Sequence, residues 1–206
     1  MSKINLKYII TVMAAVCFFA AGMAATPAQV LQRCVSKIQN APGIYAEFTM
    51  KSSGTSATGT MRGKGGKFAL VSSAGSTWYD GKDMWVYSPS SGEATVWHPS
   101  KSEITEANPL LYLSAASSFD VASGGKAQAG RTALLLTPKK RNSGLKSVKL
   151  IVVNSTSLPE SIVVTAGNGS SITLTLRNIR LSASAAGSSF SFPKSKYPKA
   201  RISDLR

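Results

Sequence analysis

The sequence predicts a mainly β protein: one long antiparallel meander that curls on itself, with helices covering its concave face. Three observations carry this. Apolar and polar residues alternate with period two through most of the chain after residue 43. Turns rich in glycine, serine and proline recur between the alternating runs. Two apolar segments of helical character, one before the first strand and one in the middle, must lie on something, and the sheet is what the chain offers them. At 206 residues the chain suffices for one domain with a sizeable core and is short for two.

The first 24 residues are set apart. Lys3 and Lys7 precede an apolar run from Tyr8 to Ala21, and small residues follow in Gly22-Met23-Ala24-Ala25. This is the pattern of a secretory signal peptide cut after Ala24, with an apolar core short for a membrane span. Cys17 does not read as a lipid-modified cysteine, because Val16 precedes it and a cut there would bisect the apolar run. Residues 25–206 are then expected to form a single domain. Loss of Lys3 and Lys7, with no acid, takes the formal net charge from +15 to +13. Nearly all of it lies after residue 120, where Glu160 and Asp204 are the only acids. Such a field favours anionic partners, either acidic protein surfaces or anionic lipid head groups; the cations are dispersed and lack interleaved aromatics, so nucleic acid is not expected. The one cysteine left after the cut, Cys34, cannot form an internal disulfide and reads as a small buried hydrophobe.

After the cut, Thr26 is a candidate N-cap, Pro27 fits the first helical turn and Gln29 completes a capping box. Val30, Leu31, Cys34, Val35 and Ile38 make one stripe, and Asn40, Pro42 and Gly43 stop the helix. In IYAEFTMK, Ile44, Ala46, Phe48 and Met50 face one way; Tyr45, Glu47, Thr49 and Lys51 face the other. SSGTSATG reads as a turn before a strand at 60–62, and GKGGK as a turn before Phe68-Ala69-Leu70-Val71. That glycine run is no phosphate loop, since Phe68 and a strand follow the lysine instead of Ser or Thr and a helix. Asp80-Gly81 signals a hairpin between Trp78-Tyr79 and Met84 to Tyr87, and Glu93 to Trp97 runs back. SEITEANPLLYLSAASS is helix-prone. Further strands are expected at 133–137, 147–153, 160–166 and 171–177, with a basic, proline-punctuated tail after Phe192.

Residue types needed for catalysis are scarce. The single histidine, His98, excludes a histidine-rich metal set and leaves no convincing triad, and no G-x-S-x-G turn occurs. His98 reads as a strand-end residue, and Glu103 with Glu106 as a solvated helix face. No enzyme, cofactor or metal is expected. What stands out is residues 78–97, WYDGKDMWVYSPSSGEATVW, which hold all three tryptophans. They are either sheet core or the wall of a site for something apolar.

The ordered set FTMK, GTM…GGKF, DGKDMWVYSP, EATV, NPLLYLS and LLLTPK resembles the periplasmic outer-membrane lipoprotein carrier family, LolA, across most of residues 27–193. The most diagnostic piece is Asp80 to Pro89. Asn108-Pro109-Leu110-Leu111 is similar to the family's lid helix, and Leu134 to Pro138 to its L-x-L-x-P strand. The resemblance implies a half-open (incomplete) antiparallel β-barrel whose helices form an α lid over the concave face. It implies a monomeric carrier that takes lipoprotein cargo by its acyl chains from an inner-membrane lipoprotein-releasing transporter and hands it to an outer-membrane acceptor. A lipid- or lipoprotein-sensing regulatory protein of the same half-barrel class is the alternative. In one place the chain departs from the family: an arginine before a proline, which latches the lid, is replaced by Gly65 and Gly66 between Lys64 and Lys67. Either a lysine substitutes or the lid is held differently.

Under this resemblance the acyl-chain cavity is assigned to Ile44, Ala46, Phe48, Met50, Met61, Phe68, Leu70, Met84 and Val86, and the lid to Leu110, Leu111 and Leu113. Flexible methionine thioethers suit an adaptable apolar wall. Trp85, Tyr87 and Trp97 are expected to form a second aromatic layer behind that wall.

Overall fold

The computed structural model describes residues 25–140, 144–186 and 190–206. The expected leader, 1–24, lies outside the described residues. Helix α1 (Pro27–Gln39) opens the fold. Thr26 and Gln29 cap it reciprocally: Gln29 N donates to Thr26 Oγ1 at 3.3 Å, and Thr26 N donates to Gln29 Oε1 at 2.9 Å. Six strands follow, β1 (Ile44–Ser52), β2 (Thr55–Lys64), β3 (Lys67–Ser72), β4 (Ser76–Tyr79), β5 (Met84–Ser88) and β6 (Glu93–Trp97). The lid comes next as α2 (Lys101–Ala107) and a 3-10 helix (Pro109–Ser118). Strands β7 (Phe119–Ser123), β8 (Arg131–Pro138), β9 (Leu145–Val153), β10 (Leu158–Ala166) and β11 (Ser171–Leu181) complete the meander. A single helical turn, α3 (Ala183–Ala186), and strand β12 (Arg201–Asp204) end the chain.

All twelve strands join one sheet in the order β12-β6-β5-β4-β3-β2-β1-β11-β10-β9-β8-β7. Strand β1 is its hinge line, pairing antiparallel with β2 on one side and β11 on the other. The sheet never closes, because β7 and β12 remain unpaired edges, and the result is a half-open barrel. A bulge sharpens the curl at that hinge. Between Tyr45 and Glu47 the register with β11 slips by one residue, absorbed at Asn178 with φ +51°, whose side-chain amide donates to Glu47 Oε2 at 2.8 Å.

The SSGTSATG stretch is strand where a turn was expected. Only Ser53 and Gly54 turn, both with positive φ, and β2 begins at Thr55. Its backbone pairs residue for residue with β1, which outweighs weak local propensity. The edge strands β7 and β12 also went unpredicted.

The two faces of the sheet bury different cores. Under the helices lie Ile44, Ala46, Phe48, Met61, Phe68, Leu70, Met84, Leu134, Leu136, Val148, Leu150, Ile162, Leu174 and Leu176, capped by Val30, Leu31, Cys34, Leu110 and Leu113. On the outer face Ala69, Trp78, Ala94, Phe190 and Phe192 pack with Trp85, Tyr87 and Tyr197. The strict alternation Phe68/Ala69/Leu70 assigns one strand's residues to both cores.

Candidate functional site

The covered face is an apolar floor. Of the residues assigned to it from sequence, Ile44, Ala46, Phe48, Met61, Phe68, Leu70 and Met84 are buried there, and Met50 packs against them half-buried. Cross-strand pairing sets them side by side: Ala46 opposite Met61, Met61 opposite Leu70, and Gly63 opposite Phe68. Gly63 leaves room there, since a Cβ would come within 2.9 Å of Ile44 Cγ2. Val86 shares the face of Met84 but sits opposite Thr77 and Thr95, outside the helical cover, and is 36% exposed.

The other half of the floor, from β8 to β11, was not singled out from sequence. Leu134, Leu136, Val148, Leu150, Ile162 and Leu174 are all fully buried. The period-two alternation in ALLLTP and SVKLIVV contained the signal, but without a partner strand it does not say which face turns inward.

The cover is α1 and the 3-10 helix. Leu110 and Leu113 point into the floor, while Leu111 and Tyr112 line cavities on opposite sides of the segment. One cavity, about 190 Å³, is bounded by Ile44, Met61, Phe68, Asn108, Leu110, Leu111 and the Lys64–Lys67 turn. The second, about 270 Å³, is bounded by Pro109, Tyr112, Leu145, Val164 and Ile172, with Glu106 at its mouth. Burial, and then the Glu106 carboxylate, push the Tyr112 hydroxyl pKa upward. Neither cavity reaches the ~300 Å³ floor of ordinary small-molecule pockets. A wider hollow of about 1080 Å³ lies on the opposite side of α1, among Gln29, Gln32, Arg33, Ser36, Lys37 and Ser155 to Ser157. Most of the residues around it are polar or charged and it opens to solvent, so it does not suit a hydrocarbon chain.

The lid is held without the family's arginine. Lys64 and Lys67 pair across a two-residue turn in which Gly65 and Gly66 have φ +56° and +82°. Two successive left-handed residues make a turn that a proline, locked near −65°, cannot adopt. Among the described residues neither Lys64 nor Lys67 hydrogen-bonds to the lid, and the Lys67 stem lies against Gly81. Other contacts tie the lid instead. The Trp97 indole donates to Glu103 Oε1 at 3.1 Å, while Ser100 N donates to Glu103 Oε2 at 2.7 Å. Asn108, buried, accepts from Leu110 N at 3.2 Å. At the far end Lys139 Nζ donates to Ser117 O at 3.0 Å. Glu103 is therefore a cap and an anchor while remaining on the exposed helix face, and hydrogen bonds from Ser100, then from Trp97, hold its pKa below the ordinary carboxylate value.

Trp97 corrects the expected aromatic layer: paired with Met84, it faces the covered side. Trp78 takes its place on the outer face, where Phe192 packs edge-on at 5.5 Å and stacks on Trp85 at 5.6 Å. His98 also has a partner. Its Nδ1 lies 2.9 Å from Oδ1 of the buried Asp83, whose other oxygen accepts from Arg206 Nη1 at 2.8 Å. Oδ1 is shut off from solvent, so that imidazole nitrogen is the polar group placed to satisfy it.

A half-open barrel whose greasy concave face is sealed by a short, separately anchored lid defines a class of protein built around a coverable apolar groove. By sequence the chain belongs to the outer membrane lipoprotein carrier protein LolA family, matching it over residues 17–168. No curated protein matches the sequence. Among solved structures it is similar to an uncharacterized conserved protein from Thermus thermophilus at 9% identity, covering 86% of this chain and 98% of that one with a TM-score of 0.52. It is also similar to a LolA superfamily protein from Nitrosomonas europaea at 12% identity, over 84% and 98% of the two chains, with a TM-score of 0.39. A putative outer membrane lipoprotein-sorting protein domain from Vibrio parahaemolyticus matches at 11% identity, over 82% and 96%, with a TM-score of 0.44.

Proposed function

We propose that this protein is a periplasmic carrier: exported by the leader 1–24, it shelters lipoprotein acyl chains on the covered floor and moves them from an inner-membrane transporter to an outer-membrane acceptor. Ile44, Ala46, Phe48, Met50, Met61, Phe68, Leu70 and Met84 form the wall in this reading, with Val86 at its rim. Leu110, Leu111 and Leu113 form the lid. One observation carries it: among the described residues, two cavities lined by residues of the apolar floor flank the same 3-10 segment. In this reading, displacement of that segment opens both cavities to the cargo.

The energetics suit uptake and release. An acyl chain of about sixteen carbons recovers on the order of 12 kcal/mol when it leaves water. Lifting Leu110 and Leu113 off the floor costs roughly 1.5–3 kcal/mol each. Cargo can therefore drive opening, and the returning leucines can help drive it out. The segment is suited to move, because ten residues of 3-10 geometry have poorer hydrogen bonds than an α-helix and this run is kinked at Ala115.

The test is release of a triacylated lipoprotein from inner-membrane vesicles into the soluble fraction. Release above a buffer blank supports the carrier, and native mass spectrometry of the released complex then shows the lipoprotein bound. Release equal to the blank, while an established carrier works in parallel, ends it.

A further inference from the structure

Residues 190–206 form a strap on the outer face. Phe190 and Phe192 are buried against Trp78 and Ala94, and Tyr197 packs on Tyr87 at 4.4 Å and stacks on Phe192 at 5.4 Å. Backbone bonds from Lys196 to Pro193, Tyr197 to Lys194 and Ala200 to Tyr197 fold the segment into consecutive turns. β12 then pairs with β6 and Arg206 closes onto Asp83 and Asp204. Four cations, Lys194, Lys196, Lys199 and Arg201, are exposed on this fixed frame within eight residues.

Local acids offset the patch only in part. Asp204 is taken by Arg206, Asp83 by Arg206 and His98, and Asp80 accepts from the amides of its own turn at 2.8 and 2.9 Å. Glu93, opposite Arg201 in register, is the one acid facing the strap's start of β12. The same segment carries two of the three exposed large aliphatics among the described residues, Ile202 at 41% and Leu205 at 66%. Pairing sets Ile202 beside Ala94, on the outer face that the strap occupies.

We propose that the strap is a docking surface for an anionic phospholipid bilayer. Clustered cations beside exposed aliphatics fit a surface that offers both charged head groups and hydrocarbon just beneath. Three of the four cations are lysines, point charges without the planar fork that recognises a protein carboxylate in two places, which favours diffuse lipid charge over an acidic protein face. The strap packs on the side of the sheet opposite the apolar floor, with Arg201 at its β12 edge, and the proposal does not depend on the carrier reading.

Co-sedimentation of the purified protein with vesicles tests it, using phosphatidylcholine alone and phosphatidylcholine mixed with phosphatidylglycerol. Binding is expected to the mixed vesicles and not to the neutral ones, and to fade as salt shortens the screening length from roughly 10 Å at 0.1 M to roughly 3 Å at 1 M. The Lys194→Ser, Lys196→Ser, Lys199→Ser variant keeps the aromatic anchors and should bind about 100-fold more weakly, at a factor of about five per basic residue. Ile202→Ser with Leu205→Ser should also weaken binding. Equal binding to both vesicle types, no binding to either, or unchanged binding by the triple variant overturns the proposal. So does salt-sensitive retention on a polyglutamate column without any vesicle binding, which would assign the patch to an acidic protein instead.

Discussion

Asp83 shows how one buried carboxylate connects distant parts of the chain. The Arg206 hydrogen bond, more than the His98 contact, holds its pKa below the ordinary 3.8. A group depressed in the folded state stabilises the fold above its unfolded pKa and loses that contribution as pH falls through the folded one. Asp204, drawn to about 2 by Arg206, and Glu160, lowered by Arg131, act in the same sense. Thermal stability should therefore hold near neutrality and decline below about pH 4. In melts followed by circular dichroism, Asp83→Asn should flatten that acid decline while lowering the neutral-pH Tm. An unaltered acid limb would show that Asp83 is not a principal contributor. None of this was legible in the sequence. Asp80 reads as a turn residue because its partners are two and three residues away, whereas Asp83 meets an arginine 123 residues on. Cys34 lies at the other extreme. Its helical spacing declared it buried, and the structure gives it no exposure and a thiol pKa raised to about 12 by that burial.

Among the elements, strands were readable wherever alternation was clean, as in Ile44–Met50, because period two is a local property. The lid was not fully readable. Its apolar run declares helical character, but a 3-10 path differs from an α path only in which carbonyl each amide meets, and packing decides that. The lid also supports two predictions. Leu111→Glu sets a charge at a cavity wall beside a half-buried position, so it should abolish acyl-chain uptake yet leave a cooperative melt. Normal uptake by that variant would place the groove elsewhere. Grafting the family's arginine–proline onto Gly65-Gly66 tests the turn itself. Gly66 at φ +82° cannot become proline without rebuilding the hairpin, so the graft should destabilise by at least about 1–3 kcal/mol instead of creating a latch. Denaturant unfolding measures it, and an unchanged midpoint would mean that the turn tolerates a different backbone.

At the scale of the whole molecule, the two cores share strands rather than sitting in separate bodies. Phe68 and Leu70 face the lid while Ala69, between them, faces the strap. Tyr79 and Trp78 divide in the same way on β4. A loss on the outer face must therefore loosen the strands that carry the apolar floor. Phe192 is the residue to remove, since it touches Trp78, Trp85, Tyr87 and Tyr197 with ring centroids 5.4 to 5.9 Å apart. Its truncation to alanine should cost about 3–5 kcal/mol. At about 2–4 °C per kcal/mol for a chain of this size, that lowers Tm by roughly 10 °C. The melt should remain a single transition, with near-ultraviolet dichroism from the tryptophans and far-ultraviolet dichroism from the sheet lost together. Two separated transitions would instead show that the strap and its aromatic layer unfold independently, and residues 25–206 would then not be one cooperative domain.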